Sequence, residues 1–399
     1  MAPDQVEQSG RVEQSDQVAQ PAEPDLDFHG DRELADGLVD LAVNVRPGTP
    51  PPWLRQVIRA ATDDLAAYPD PAAATVAVAR RHGRPSSEVL VTAGAAEAFT
   101  LIARAFRPRR AVVVHPQFTE PEAALRAAGH RVERAILPPP FQLGPGAIPA
   151  EADLVIVGNP TNPTSVLHPA DTIRALARPG RTLVVDEAFA DCVPGEPESL
   201  AAARDVPGLI VLRSLTKTWG LAGLRAGYLL AAPADVQTLA RPRPPWAVSS
   251  PALAAVIACC EPRATTEAAA WAAGLTTERG HLIRRLSELP GVTVTPGARA
   301  SFILIKIGSP LPGTARTVEA ASGPARPTGV AAASGSTGSA AGPTVRERLR
   351  QAGFAVRRGD TFPGLGPGWL RIAVRDRATN DRFVAALARV LGAISKETP

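Results

Sequence analysis

The chain has 399 residues, 45 % of them hydrophobic, enough to bury cores for two or three domains. Its net charge of +4 arises from 43 basic and 39 acidic residues spread along the chain, so no basic stripe favours a nucleic acid partner. No run of about 18 apolar residues occurs, the N-terminus lacks the basic and apolar regions of a leader, and the three cysteines show no metal-ligand spacing. These features predict a cytoplasmic protein without a membrane span, a disulfide framework or a metal.

Residues 1–27 are rich in Gln, Glu, Asp and Pro, a composition that predicts a disordered tail. Residues 28–66 are expected to form the N-terminal part of a small domain. Between Glu88 and Leu230, short apolar runs such as RAVVVHP, DLVIVGNP, RTLVVDEA and GLIVLRS alternate with helical patterns. Continuous Val/Ile/Leu runs suit strands buried on both faces, so residues 67–240 are predicted to be a large α/β domain with a mostly parallel sheet. Residues 241–399 read as a smaller α+β domain carrying VTVTP, SFILIKI, FAVRR and WLRIAV. A flexible insertion rich in Gly, Ala, Ser, Thr and Pro is expected at 308–343.

Only three lysines occur, Lys217, Lys306 and Lys396, so 40 of the 43 basic residues are arginines. Arginine can replace lysine as a surface charge, but a guanidinium that stays protonated cannot form an imine, whereas a lysine amine can. Lys217 lies in SLTKTWGLAGLRAG, where an apolar strand ends in hydroxyl residues, the lysine, a glycine-bearing turn and an arginine eight residues after the lysine. A phosphate dianion calls for that kind of fork-shaped cation with hydroxyl donors beside it.

This segment resembles the cofactor-attachment motif of the class I and II pyridoxal-phosphate-dependent aminotransferases, proteins of fold type I, and the likeness extends over roughly residues 40–305 and 344–395. The resemblance implies pyridoxal 5'-phosphate as cofactor, with Lys217 as its Schiff-base lysine and catalytic residue, and Ser214, Thr216 and Arg225 holding the phosphate. Asp186, in VVDEA, would be the carboxylate that partners the pyridine nitrogen, while Glu187 faces the other way because successive strand residues alternate. Gly94 in VTAGAAEAF would open a helix whose Ala95 and Ala96 N–H groups meet the phosphate. Phe118 in HPQFTEP would stack on the cofactor ring, and Asn162 in GNPTNPTS would donate to its 3′-oxygen, although Ser165 departs from the usual glycine.

By the same resemblance Tyr68 would reach the phosphate of a neighbouring subunit, which implies a homodimer with shared sites. Arg371 in WLRIAVRD would clamp the substrate carboxylate with Arg375 as a solvated neighbour, and Asn44 would lie on a loop closing over substrate. Arg357 or Arg358 would serve a substrate phosphate. The likeness leans toward the branch of histidinol-phosphate aminotransferases and the threonine-phosphate decarboxylases of cobalamin synthesis. DEAF with Phe189, where the aminotransferases read DEAY, and the segments 245–255 and 357–376 look more like the cobalamin-pathway enzymes. Transamination and decarboxylation on a small amino acid or phospho-amino acid both remain open. An inactive relative serving as a scaffold would show decay in this constellation, and every member is present.

Overall fold

The structure, a computed structural model, describes residues 23–308 and 344–397. Residues 1–22 of the expected tail and nearly all of the expected insertion lie outside the described residues.

The first strand, β1 (Val39–Leu41), is followed by helices α1 (Pro52–Ala60) and α2 (Ala72–His82). The central region then runs β2 (Val89–Thr92), α3 (Gly94–Ala105), β3 (Ala111–His115), α4 (Glu120–Ala127), β4 (Val132–Ile136) and β5 (Leu154–Gly158). It continues with α5 (Ala170–Arg174), β6 (Thr182–Asp186), β7 (Leu209–Ser214), β8 (Gly227–Ala231) and α6 (Pro233–Ala240). Then come α7 (Ser250–Cys259), α8 (Pro262–Ser287), β9 (Val292–Val294), β10 (Phe302–Ile307), α9 (Val345–Gln351), β11 (Phe354–Arg358), β12 (Trp369–Ala373) and α10 (Arg377–Glu397).

Among the described residues, seven strands form one sheet in the order β2-β8-β7-β6-β5-β3-β4. The pairs from β7 through β6, β5 and β3 to β4 are parallel, and β8 runs antiparallel to both neighbours. This is the α/β class expected from the unbroken apolar runs. The period of two explains the double burial: Val112 and Val114 of β3 enter a core with α1, α2 and α7, while Val113 enters the opposite core with α3, α4 and α6. Each fully buried valine or leucine contributes about 1.5–3 kcal/mol relative to exposure.

A second sheet, β1-β11-β12-β10-β9, packs against α8, α9 and α10. It is antiparallel except for the β1–β11 pair, which joins the N-terminal segment to the C-terminal domain. Thr344 starts α9 with a reciprocal capping box to Glu347.

The boundaries differ from the expected ones in four places. Helix α1 packs with α7 on the large-domain core, where Leu54 is fully buried, so residues 52–60 leave the small domain. Helix α7 is apolar nearly all round, a composition that must be buried, and it joins the same core. Helix α8, about 39 Å long, places Ala264 and Ala268 in the large core and Leu275, Leu282 and Leu286 in the small one, so the division falls inside it. Residues 23–27, expected to be tail, are tied down as well: Leu26 O accepts from Thr119 Oγ1 at 2.6 Å, and Glu23 pairs with Arg134 and Arg126.

Candidate active site

Between the two sheets lies a cleft of about 440 Å³, a size suited to a small organic ligand. Its floor is built from strand ends of the large sheet. Strand β7 ends at Ser214, and the chain turns through Thr216 and Lys217 before returning as β8. The turn is held from outside: Arg46 N donates to Lys217 O at 2.9 Å, and Trp219 packs edge-on against Trp53 of α1 with centroids 5.6 Å apart.

The Lys217 amine is buried. Burial, reinforced by the neighbouring Arg371 and Arg225 charges, brings it down to about 8, so an appreciable neutral fraction exists near physiological pH. Asp186 ends β6, one strand away, where Ala188 N donates to its Oδ1 at 3.1 Å. Burial raises this carboxyl to about 6, against the opposing influence of the Ala188 hydrogen bond and Lys217. A buried carboxylate in such a position gains from a cationic partner. Glu187 points to the other side of the sheet, where it pairs with Arg213 at 3.0 Å and accepts from Ser199 Oγ at 2.6 Å.

On the other flank, the Ser214 and Thr216 hydroxyls lie 2.8 Å apart and both line the cleft. Arg225 adopts a left-handed backbone, φ +59°, and lays its guanidinium against Gly94. A Cβ at Gly94, itself at φ +77°, would stand 2.8 Å from Arg225 Nη2, so only glycine permits this approach. Ala95 and Ala96, in the first turn of α3, also line the cleft, adding a helix N-terminus to the cation and hydroxyls. This donor set fits a phosphate dianion placed beside an amine and a carboxylate.

Arg371 projects from β12 of the small domain. It donates to Asn162 Oδ1 at 2.5 Å and to Ala42 O, and its guanidinium stands 5.3 Å from the Phe302 ring centroid. Its Nε is buried without a partner, as is Asn44 Oδ1, and both residues line the cleft. Buried orphan atoms on a cleft wall mark places where a polar ligand completes the bonding. Phe118 also faces the cleft, as does Phe189, which packs edge-on against Phe302.

Thus Asn44, Ala95, Ala96, Phe118, Asn162, Asp186, Ser214, Thr216, Lys217, Arg225, Arg357 and Arg371 share one cleft, with Gly94 directly behind Arg225. Of the two candidate arginines on β11, only Arg357 lines it; Arg358 is paired with Asp360. Arg375 is not solvated: it donates to the Asp40 and Val43 carbonyls, clamping β1 and the loop after it. Tyr68 is outside the cleft, 75 % exposed and stacked on Trp246 with centroids 4.3 Å apart. Ser165 takes φ +62°, the conformation a glycine would favour, and its Oγ accepts from the N–H groups of Arg299 and Ala300. The serine therefore fastens the Asn162 loop to the small domain.

Sequence reasoning missed His29, Asp31, Glu120 and Phe362 on the rim. His29 Nε2 lies 2.6 Å from Glu120 Oε1. The one available signal was the aromatic and histidine pair FH inside an otherwise acidic stretch, too short to carry a period.

Fold and cleft together define a two-domain α/β enzyme organised around a buried lysine with an arginine, two hydroxyls and a helix N-terminus beside it. Residues 36–387 match the family model of the class I and II aminotransferases. A histidinol-phosphate aminotransferase of Mycobacterium tuberculosis is 46 % identical over 351 residues, covering 87 % of this chain and 86 % of that one. The threonine-phosphate decarboxylase of Salmonella typhimurium is 29 % identical over 373 residues, 90 % of this chain and 93 % of that one. The crystal structure of histidinol-phosphate aminotransferase from Sinorhizobium meliloti in complex with pyridoxal-5'-phosphate shares the fold, with a TM-score of 0.71, 22 % identity, and coverage of 90 % of this chain and 91 % of that one. The chain belongs to the class I and II aminotransferase family. Among the described residues, no helix is long and apolar enough to cross a membrane, and no cluster of His, Cys, Asp or Glu could hold a metal ion.

Proposed function

We propose that this chain is a pyridoxal-phosphate-dependent aminotransferase acting on a phosphorylated amino substrate. The observation that carries the reading is the convergence of Lys217, Asp186, the Ser214/Thr216/Arg225 cup and Arg371 on one cleft. Pyridoxal phosphate supplies an aldehyde for the lysine amine and a ring that withdraws electrons from the substrate's α-carbon. Asp186 would keep the ring nitrogen protonated, Ser214, Thr216, Arg225 and the N–H groups of Ala95 and Ala96 would hold the phosphate, and Phe118 and Asn162 would hold the ring and its 3′-oxygen. Arg371 orients the substrate carboxylate or its equivalent under the Asn44 loop, and Lys217 takes and returns the α-proton. Arg357 meets the substrate phosphate.

Both relatives above bear names that include a phosphorylated amine or amino acid, which supports that substrate class. Decarboxylation of threonine phosphate, a step toward cobalamin, is the second reading, favoured by the Salmonella likeness and by Phe189 in place of a tyrosine. The two readings would differ in whether the α-proton or the carboxylate leaves the substrate, a choice that the orientation Arg371 gives the carboxylate would set. We further propose a cytoplasmic homodimer in which Tyr68, exposed on the single chain, reaches the partner's phosphate cup.

Purified protein incubated with histidinol phosphate and 2-oxoglutarate, and separately with O-phospho-L-threonine, tests the reading. Glutamate formation supports transamination, and carbon dioxide release from phosphothreonine selects the second reading. A protein that yields neither and shows no visible absorption band overturns both.

A further inference from the structure

Arg357 is 2 % exposed, yet no carboxylate within ion-pair distance compensates it among the described residues. Glu33, the nearest acidic neighbour by its effect on this arginine, is engaged with Arg346 at 2.8 Å and with Arg358 N at 3.2 Å. Two of the five N–H groups of Arg357 are committed, to Phe28 O at 2.7 Å and Arg358 O at 3.2 Å. The guanidinium instead packs against two rings, its Cζ 4.7 Å from the Phe28 centroid and 4.6 Å from the Phe362 centroid. Phe28 comes from the N-terminal segment and Phe362 from the loop after β11, so parts of the chain more than 300 residues apart converge on this side chain.

A guanidinium packed against aromatic rings keeps its unbonded N–H donors available in its own plane, and three of the five on Arg357 are uncommitted among the described residues. Those donors belong to a residue lining the cleft. Ring faces offset part of the cost of burying the charge without consuming donors, as a carboxylate would. We propose that Phe28 and Phe362 are positioning residues that hold the Arg357 guanidinium at the cleft, setting the enzyme's selectivity for a dianionic over an uncharged substrate tail. This deepens the functional reading above and rests on Arg357 being the residue that meets the substrate anion.

The test uses the holoenzyme and whichever phosphorylated substrate the wild type turns over, beside its dephosphorylated counterpart. Phe28→Leu and Phe362→Leu should each raise KM for the phosphorylated substrate about fivefold while altering kcat less than about twofold, thereby narrowing the preference for the phosphorylated form. Phe28→Trp, which restores a ring face, should return KM to near the wild-type value. Arg357→Gln separates the two layers. If it leaves the preference for the phosphorylated substrate intact, both the anion role of Arg357 and the clamp are overturned. If it abolishes the preference while both leucine variants keep it, the anion role stands and the clamp alone is overturned. Leucine variants that lose activity equally on both substrates, with no rescue in Phe28→Trp, also overturn the clamp, because general unfolding does not discriminate by phosphate.

Discussion

The floor and the rim of the cleft are built on different principles. The floor uses ends of strands whose positions follow from a doubly buried sheet: Asp186 closes β6, Ser214 closes β7, and Gly94 opens the helix after β2. The rim is assembled from scattered pieces of chain, with His29 and Asp31 from the N-terminal segment, Glu120 at the start of α4 and Phe362 after β11. The floor's geometry therefore inherits the rigidity of the core, whereas the rim depends on side chains crossing between domains. Chemistry common to a family belongs on the first kind of support, and substrate choice can be remodelled on the second.

Mutations that separate the two kinds of support should fall on a graded scale. Lys217→Ala should lower turnover by on the order of 10⁴-fold and erase the visible band, while circular dichroism stays native. Retention of the band in that variant would sink the assignment of the lysine. Below the floor, Arg213 is buried between Glu187 at 3.0 Å and Glu196 at 2.6 Å. Arg213→Leu strands both carboxylates and should cost about 3–5 kcal/mol in urea unfolding; a loss under about 1 kcal/mol would mean that the floor does not lean on that pair.

Asp186 gives the floor a pH signature. Because burial raises its carboxyl to about 6, the native apoprotein holds that proton more tightly than the unfolded chain does. The stability it contributes is fully present near about pH 4 and is lost as pH rises through about 6, a swing on the order of 2–3 kcal/mol. Denaturation of the apoprotein at both ends of that window should show a smaller drop for Asp186→Asn than for the wild type; equal drops would refute the shift. Arg371→Gln, at the junction of floor and rim, should reduce kcat/KM by about 30-fold or more, read by steady-state kinetics. At the rim, Glu120→Ala removes a half-exposed pair with His29 and should change kcat/KM by no more than about threefold. An effect as large as that of Arg371→Gln would erase the distinction between rim and floor.

That distinction also governs what could be read from sequence. The unbroken apolar runs of β3, β5, β6 and β7 announce a buried parallel sheet, whereas Asp186, Ser214 and Lys217 were legible only through the resemblance of VVDEA and SLTKTWGLAGLRAG to the family's motifs. Helices α1 and α7 were misassigned because an apolar face says that a helix is buried but not against which sheet. Arg375 was taken for a solvated charge, since nothing local reveals that two backbone carbonyls of a distant segment lie within reach. His29 and Phe28 carried no period, and their place was decided by tertiary bonds to Glu120 and Arg357, beside the Leu26–Thr119 bond. Tyr68 was picked out by its context in LAAYPDP, and on the isolated chain it stacks on Trp246 away from the cleft.

The contact between Gly94 and Arg225 has a consequence for how such a protein can change. Gly227 stands against the same spot, where an added Cβ would come within 3.0 Å of Gly94 Cα. Three positions from two stretches of chain thus share one small volume: a Cβ at Gly94 meets the Arg225 guanidinium, and one at Gly227 meets Arg213 O at 2.9 Å as well as Gly94. A larger residue at Gly94 or Gly227 must therefore displace the arginine or the backbone beside it, so this wall of the cleft is less free to change one residue at a time than the rim is.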